Sequence, residues 1–425
     1  MKNKPWFNIL VAGAMLSLAC SAVSRLGVPA VGAPTATPTA AVSSQAATTQ
    51  RQLSVFDAVF ADVRDQYIRA DYGGADWSAI GTQARAAVAA GETDDAFAQT
   101  LRAMLAKLPL GGASFETRAE RLALATSTST SYYGIGAFVS YRSSPQPHIV
   151  ILSTINNSPA EKAGLQPHDS LIAVNGAPFT TADALTPTQR IRGGQGTTVT
   201  LTVQTPGTQA RQIEMTRAPI TATDALRGGI LTTLDVAYYR VPVVADVNMA
   251  AAIAGDLSTV SQTVKLKGII LDLRVARSDA NGWPLTQMLT LFGNGQLGEF
   301  YTRSGNTPLD ITGQDVSGSQ TVPLVILVAS DTAGTPEIFA AALQASHRAT
   351  VVGMATHGAV LGFDVIALPD GSQLTLATSS YKTTTNIDMV SSGLTPDHAV
   401  NADWDSYTTD TDPILDAALS LLPLN

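Results

Sequence analysis

The sequence predicts a multidomain α/β protein with three folded parts in series: a small N-terminal helical region, a β-rich domain with short helices, and an α/β core. Three observations carry this. Apolar residues recur at helical spacing over 55–67 and again over about 77–108. Short strands and turn signals then fill 132–216. After about residue 221, the continuous apolar runs 268–274 and 322–328 alternate with helical patterns, as expected of strands buried on both faces of a parallel sheet.

The chain has 425 residues, 45% of them hydrophobic, enough for two or three domains with their own cores. Only 14% are charged and the net charge is −8, so nothing electrostatic points to nucleic acid as a partner. Residues 1–20 read as a secretory signal, with Lys2 and Lys4, an apolar stretch over about 7–18 that is too short for a membrane span, and then Ala19-Cys20. Cys20 is the only cysteine, which excludes an internal disulfide. Its setting resembles a bacterial lipoprotein box, departing from it at Ser17, where a branched apolar residue is usual. That resemblance implies a lipid anchor on Cys20 and a place in the cell envelope; the alternative is a cleaved signal, an incidental cysteine and secretion. Residues 21–50, rich in Ala, Thr, Ser, Pro and Val, are expected to be a flexible tether reaching on the order of 30 Å.

The helical region is placed at 51–125. Val55, Phe56, Val59, Phe60, Val63 and Tyr67 share one face, and Gly73-Gly74 separates them from the second helical pattern. These residues are read as packing. Residues 126–220 carry more specific signals: Tyr133-Gly134-Ile135-Gly136, a strand over 148–153, the stretch Asn157-Ser158-Pro159-Ala160-Glu161-Lys162-Ala163-Gly164-Leu165, a turn at Asn175-Gly176, and an alternating strand over 199–203. Ser158 is expected to cap a short helix with Pro159 in its first turn, Gly164 to end it, and Asn175-Gly176 to turn between strands. Together these motifs resemble a PDZ domain. The resemblance implies that Tyr133, Gly134, Ile135 and Gly136 form the loop whose backbone N–H groups capture a peptide's terminal carboxylate.

The core is placed at 221–405, with a packing helix in the tail 406–425. Its landmarks are Leu271-Asp272-Leu273-Arg274, the helix over 337–345, the strand over 349–353, Leu368-Pro369-Asp370-Gly371-Ser372 and Gly393-Leu394-Thr395-Pro396-Asp397. With the inserted PDZ-like domain they resemble the carboxyl-terminal processing, or tail-specific, serine peptidases, over about 55–400. The resemblance implies a ClpP/crotonase-like core. It also implies a serine nucleophile, a lysine general base that burial keeps neutral, and a glutamine four residues beyond the lysine. Matched without gaps from Glu337-Ile338 backwards and from Gly353 forwards, those three positions hold Gly334, Ala359 and Phe363. After Arg274, Val275-Ala276-Arg277-Ser278-Asp279 replaces the family's Asn-Pro-Gly-Gly, which helps to form the oxyanion hole. Losing such donors costs about a hundredfold to a thousandfold in rate.

The leading expectation is therefore a membrane-tethered, extracytoplasmic pseudo-peptidase that binds protein C-terminal tails without cutting them. One alternative is an active serine-type endopeptidase with a rearranged site, in which Ser330, Thr332 or Thr335 works with His357 and Glu337. Another is a structural or regulatory partner, as a homo-oligomer or paired with an active paralogue. No cofactor is expected, and the five histidines show no metal-ligand spacing. The observation that bears most on these readings is whether Gly334, Ala359 and Phe363 meet at the bottom of a cleft covered by the PDZ-like domain.

Overall fold

The computed structural model describes residues 39–128, 133–184, 186–220, 224–278, 282–390 and 392–424. The signal-like segment, Cys20 and the first part of the expected tether lie outside them. Helix α1 spans Thr39–Gln66. It thus takes in 39–50, where composition suggested a flexible tether: Ala40, Ala41, Ala46 and Ala47, with no glycine or proline among them, favour helix.

The second helical pattern divides into α2 (Trp77–Ala89) and α3 (Asp94–Leu105). Gly91 turns with φ of 92°, and the Thr93 hydroxyl caps α3 by accepting from the Ala96 N–H at 3.3 Å. Strand β1 (Ala113–Glu116) and helix α4 (Arg118–Thr128) follow. Val55, Phe56, Val59, Val63 and Tyr67 are buried against Trp77, Leu101 and Leu105, so the helical face read from the sequence is a packing face.

The β-rich domain runs through β2 (Tyr133–Gly134), β3 (Ala137–Arg142), β4 (His148–Thr154), the short α5 (Pro159–Lys162), β5 (Ser170–Val174), β6 (Ala177–Pro178), β7 (Thr198–Gln204), β8 (Arg211–Thr216) and β9 (Ala218–Pro219). Strands β3, β4, β5, β7 and β8 pair antiparallel in that order, β6 adds to β5, and β2 pairs with β9. Ser158 caps α5 through the Glu161 N–H (3.2 Å), Gly164 follows it with φ of 77°, and Asn175-Gly176 turns between β5 and β6.

The core contains β10 (Arg227–Leu231), β11 (Val236–Arg240), α6 (Met249–Val260), β12 (Gly268–Asp272), α7 (Leu285–Phe292), β13 (Gly295–Thr302), β14 (Asn306–Ile311), β15 (Leu324–Val328), α8 (Thr335–Ala345), β16 (Ala349–Gly353), β17 (Gly362–Ala367), β18 (Gln373–Lys382), β19 (His398–Ala399) and α9 (Pro413–Ser420). Its main sheet is ordered β10-β11-β12-β15-β16-β19, parallel from β11 onward. Ile269, Leu271, Ile326 and Val328 share a hydrophobic core with residues of α6, α7 and α8; Ile270, Val325, Leu327 and Val352 pack with Ile414 and Ala418 of α9 and with Leu422 just beyond it. Burial on both faces explains the unbroken apolar runs. A second, antiparallel sheet joins β14 to β13, β13 to β18, and β18 to both β1 and β17. It ties the N-terminal helices to the core, because Leu374, Leu376 and Ala377 of β18 pack among them.

Segments that leave the C-terminal ends of β11, β12 and β15 meet through bridges from Val244 to Arg277 and from Arg277 to Ala333. In open parallel sheets, that is where ligands bind.

Candidate functional site

Gly334 sits at the entrance to α8 with φ 78° and ψ −132°, backbone that an L-residue rarely adopts. A Cβ built there would stand 2.7 Å from the Ser278 carbonyl oxygen, 3.1 Å from the Ser278 hydroxyl and 3.7 Å from the Ala359 carbonyl oxygen. Gly334, Ala359 and Phe363 line one cavity of about 320 Å3, together with Ser278, Trp283, Phe300, Thr335, Ser379 and Ser380. The three positions expected to converge therefore do so. Phe363 stands at the rim, 39% exposed. None of the described lining residues is titratable, and none belongs to the β-rich domain.

The cavity's backbone is held by Glu337, which is 0% exposed. Its carboxylate accepts from the N–H groups of Gly334 (2.8 Å), Gly358 (2.6 Å) and Ala359 (2.9 Å) and from the Thr356 hydroxyl. One buried charge thus joins the turn before α8 to the loop after β16, compensated by charge-assisted hydrogen bonds. Ser278 completes the frame: its hydroxyl accepts from the Thr335 N–H (2.9 Å) and its own N–H donates to the Ala333 carbonyl (3.2 Å). The N–H groups of Ser278, Gly334 and Thr335 are therefore all committed inside the protein. An oxyanion hole needs such donors free and aimed at the reacting oxygen.

Among the described residues the hydrogen bonds of a rearranged triad are not formed. Glu337 is saturated by the four donors above, while Ser330 and His357 are exposed. His357 enters only through its backbone, donating to the Thr332 carbonyl at 3.2 Å, and no hydrogen bond joins it to Ser330 or Glu337. The Thr332 hydroxyl is buried and donates to the Leu273 carbonyl at 2.9 Å.

The proposed carboxylate loop is at the edge of the β-rich domain. Tyr133 and Gly134 pair with Pro219 and Ala218. The carbonyls of Ile135 and Gly136 turn inward, accepting from the N–H groups of Ala160 (2.8 Å) and Ile155 (2.9 Å). The N–H groups of Ile135 and Gly136 meet no acceptor among the described residues. Strand β3 follows the loop as an edge strand, open on one side to an added strand.

That strand is also fastened to the core. Asp331, in the loop before Gly334, receives the Ser140 hydroxyl (2.6 Å) and the guanidiniums of Arg142 and Arg277; Arg142 and Arg277 also donate to the Ser140 oxygen at 2.7 and 3.0 Å. Burial pushes the Asp331 carboxyl upward, but the Arg142 hydrogen bond and the two cations outweigh it and hold the group below the usual carboxylate range. Sequence reasoning missed this cluster, because Arg142 and Asp331 are far apart in the chain and neither stands in a motif. Glu337 entered as the start of a helix, as the anchor of the match to Gly334 and as a possible triad acid; its spacing three residues after Gly334 is that of a capping-box acid, a signal that could have revealed its structural work.

Residues 235–400 match the model of peptidase family S41, residues 125–204 that of the PDZ domain, and residues 50–106 that of the Tricorn protease C1 domain. The chain is 31% identical over 291 residues to a carboxyl-terminal-processing protease of Synechocystis, covering 64% of each chain. It is 30% identical over 320 residues to one of Picosynechococcus, covering 70% of this chain and 72% of the relative. Among solved structures it is similar to the photosystem II D1 C-terminal processing protease, with a TM-score of 0.61 and 22% identity over 87% of this chain and 97% of the other, a likeness of fold. By sequence and by architecture, the chain belongs to the carboxyl-terminal-processing protease family, with an S41-type core and an inserted PDZ domain.

Proposed function

We propose that this protein is a pseudo-peptidase of its family, held outside the cytoplasm by a lipid anchor on Cys20, whose PDZ domain binds protein C-terminal tails without cleaving them. The observation that carries the reading is the cavity around Gly334 and Ala359. It offers no titratable side chain among its described residues, and the backbone N–H groups beside it are already hydrogen-bonded. Hydrolysis needs an activated nucleophile, a base and a stabilised oxyanion; among the described lining residues no base stands beside the Ser278, Thr335, Ser379 and Ser380 hydroxyls, and the N–H groups of Ser278, Gly334 and Thr335 are already engaged.

Binding rests on separate features: the unengaged N–H groups of Ile135 and Gly136 and the open edge of β3 supply the two elements of strand-addition recognition. The anchor rests on the sequence around Cys20, and no described helix is long and apolar enough to cross a membrane. Calorimetric titration with an apolar-tailed peptide, carrying either a free or an amidated C-terminus, tests the recognition. The free acid is expected to bind at least about tenfold more tightly, the loss of one charge-assisted hydrogen bond being worth about 1.5–3 kcal/mol. Equal affinity for acid and amide would remove the carboxylate-capture reading.

A further inference from the structure

The PDZ domain meets the rest of the chain along a seam made by residues 404–407. Trp404 and Tyr407 are buried with Val150 and Leu152 of β4 and with Val243 and Val275 of the core. The Trp404 ring N–H donates to the Ile151 carbonyl at 3.0 Å. On the other side, Arg274, 2% exposed, binds Asp272, Asp412 and the Tyr407 hydroxyl.

Two PDZ histidines bond to consecutive residues of this seam in opposite ways. His148 lies between two acceptors, the Gln146 carbonyl at Nδ1 (2.7 Å) and the Asp405 carboxylate at Nε2 (2.6 Å), a setting that favours protons on both ring nitrogens, the imidazolium. Asp405 also accepts from the Ser170 hydroxyl at 3.3 Å, and Arg142 is the cation that opposes the His148 charge. His168 stacks on Trp404 at 4.0 Å between ring centroids, lies 4.8 Å from the Tyr407 ring, and donates from Nδ1 to the Trp404 carbonyl at 2.6 Å. No described acceptor faces its Nε2. Arg274 disfavours a second cation there; Asp272 and Asp412 favour one, but both are already bonded to Arg274. The adjacent Asp169 is taken by Thr205 and by Arg211 at 3.4 Å. This setting favours the neutral His168 ring.

We infer that this seam is a two-sided pH latch, closed while His148 is charged and His168 neutral, and loosened when either state changes. The directions agree with the surroundings. Burial works against the His148 charge, but the Asp405 hydrogen bond and the Gln146 carbonyl outweigh it and raise its pKa; burial, aided by Arg274, lowers that of His168 despite the Trp404 carbonyl. The His148 contribution is present below its undocked pKa and is lost as pH rises through the raised, docked value. The His168 contribution is present above its undocked pKa and is lost as pH falls through the lowered, docked value. The seam thus holds best between the two.

The test is hydrogen exchange of the backbone amides of residues 403–407 in the full chain from pH 5 to 9, corrected for intrinsic rates. Protection is expected to peak within the range and to fall on each side by up to about tenfold per pH unit. His168→Asn, which keeps a donor toward Trp404, is expected to remove the acid limb, and His148→Gln the alkaline limb. Flat protection, a single limb, or limbs that survive in these variants would overturn the latch. Where a variant fails to fold, NMR titration of the wild-type rings decides: His148 is expected above and His168 below the ordinary 6.5, and two unshifted titrations would overturn it.

Discussion

Restoring a serine at Gly334 measures how far the cavity has departed from a catalytic one. At φ 78° and ψ −132° a residue with a Cβ pays about 1–3 kcal/mol in backbone strain. The new Cβ would stand 2.7 Å from the Ser278 carbonyl oxygen, inside any real contact distance. That oxygen is backbone and belongs to a segment bridged to Val244 and Ala333, so relief requires several chain segments to move. Such overpacking costs about 1–3 kcal/mol more. Gly334→Ser is therefore expected to lose about 2–6 kcal/mol in urea unfolding, a large share of the roughly 5–15 kcal/mol typical of a domain. Gly334→Ala must cost the same within about 0.5 kcal/mol, because strain and clash both arise at Cβ. Removing the nearby hydroxyl by Ser278→Ala should relieve little, since the carbonyl remains. If Gly334→Ala is as stable as wild type, the reasoning fails. If it is tolerated where Gly334→Ser is not, the penalty belongs to the hydroxyl and not to the backbone.

Glu337→Gln leaves a single acceptor oxygen where two carboxylate oxygens receive the N–H groups of Gly334, Gly358 and Ala359 and the Thr356 hydroxyl. With at least two charge-assisted bonds lost, a destabilisation of about 3–5 kcal/mol in urea unfolding is expected, and a change below about 1 kcal/mol would remove Glu337 as the organiser of the cavity. Asp331→Asn leaves Arg142 and Arg277 without a counter-charge between the PDZ strand and the core. Because the Arg277 side chain is 37% exposed and can turn to water, the expected cost is about 2–3 kcal/mol, less than for a fully buried pair. The Asp331 contribution is present above the ordinary carboxylate pKa of about 3.9 and fades as pH falls through its lower folded value. The gap between wild type and variant should close in acid; a gap that persists or widens there would contradict the assignment.

Wherever local pattern decides structure, the sequence was legible. The apolar runs became β12 and β15 because burial on both faces removes alternation, and the strand over 349–353 became β16 with the bounds expected. Ser158, Gly164 and Asn175-Gly176 performed the cap and turns their chemistry suits. The joint frame through Glu337 and Gly353 brought Gly334, Ala359 and Phe363 to one cavity, because α8 and β16 lie on adjoining elements of the same parallel unit. What escaped depends on neighbours distant in sequence. No spacing rule connects Asp331 to Arg142, or His168 to Trp404. Ser278 was noted only as part of an altered loop, whereas its value lies in a hydroxyl that occupies the Thr335 N–H. The division of the 77–108 helix at Gly91 could have been read from Gly91 and Thr93, which together spell a turn and a cap.

Intact-mass spectrometry of an apolar-tailed protein substrate, incubated with the purified chain under conditions where calorimetry shows it bound, tests the central claim most directly. The geometry around Gly334, Ser278 and Ala359 predicts that the substrate keeps its full mass throughout. A product shortened at its C-terminus, formed by the wild-type chain and lost in a Ser278→Ala, Ser330→Ala or His357→Ala variant, would show a working peptidase and contradict it.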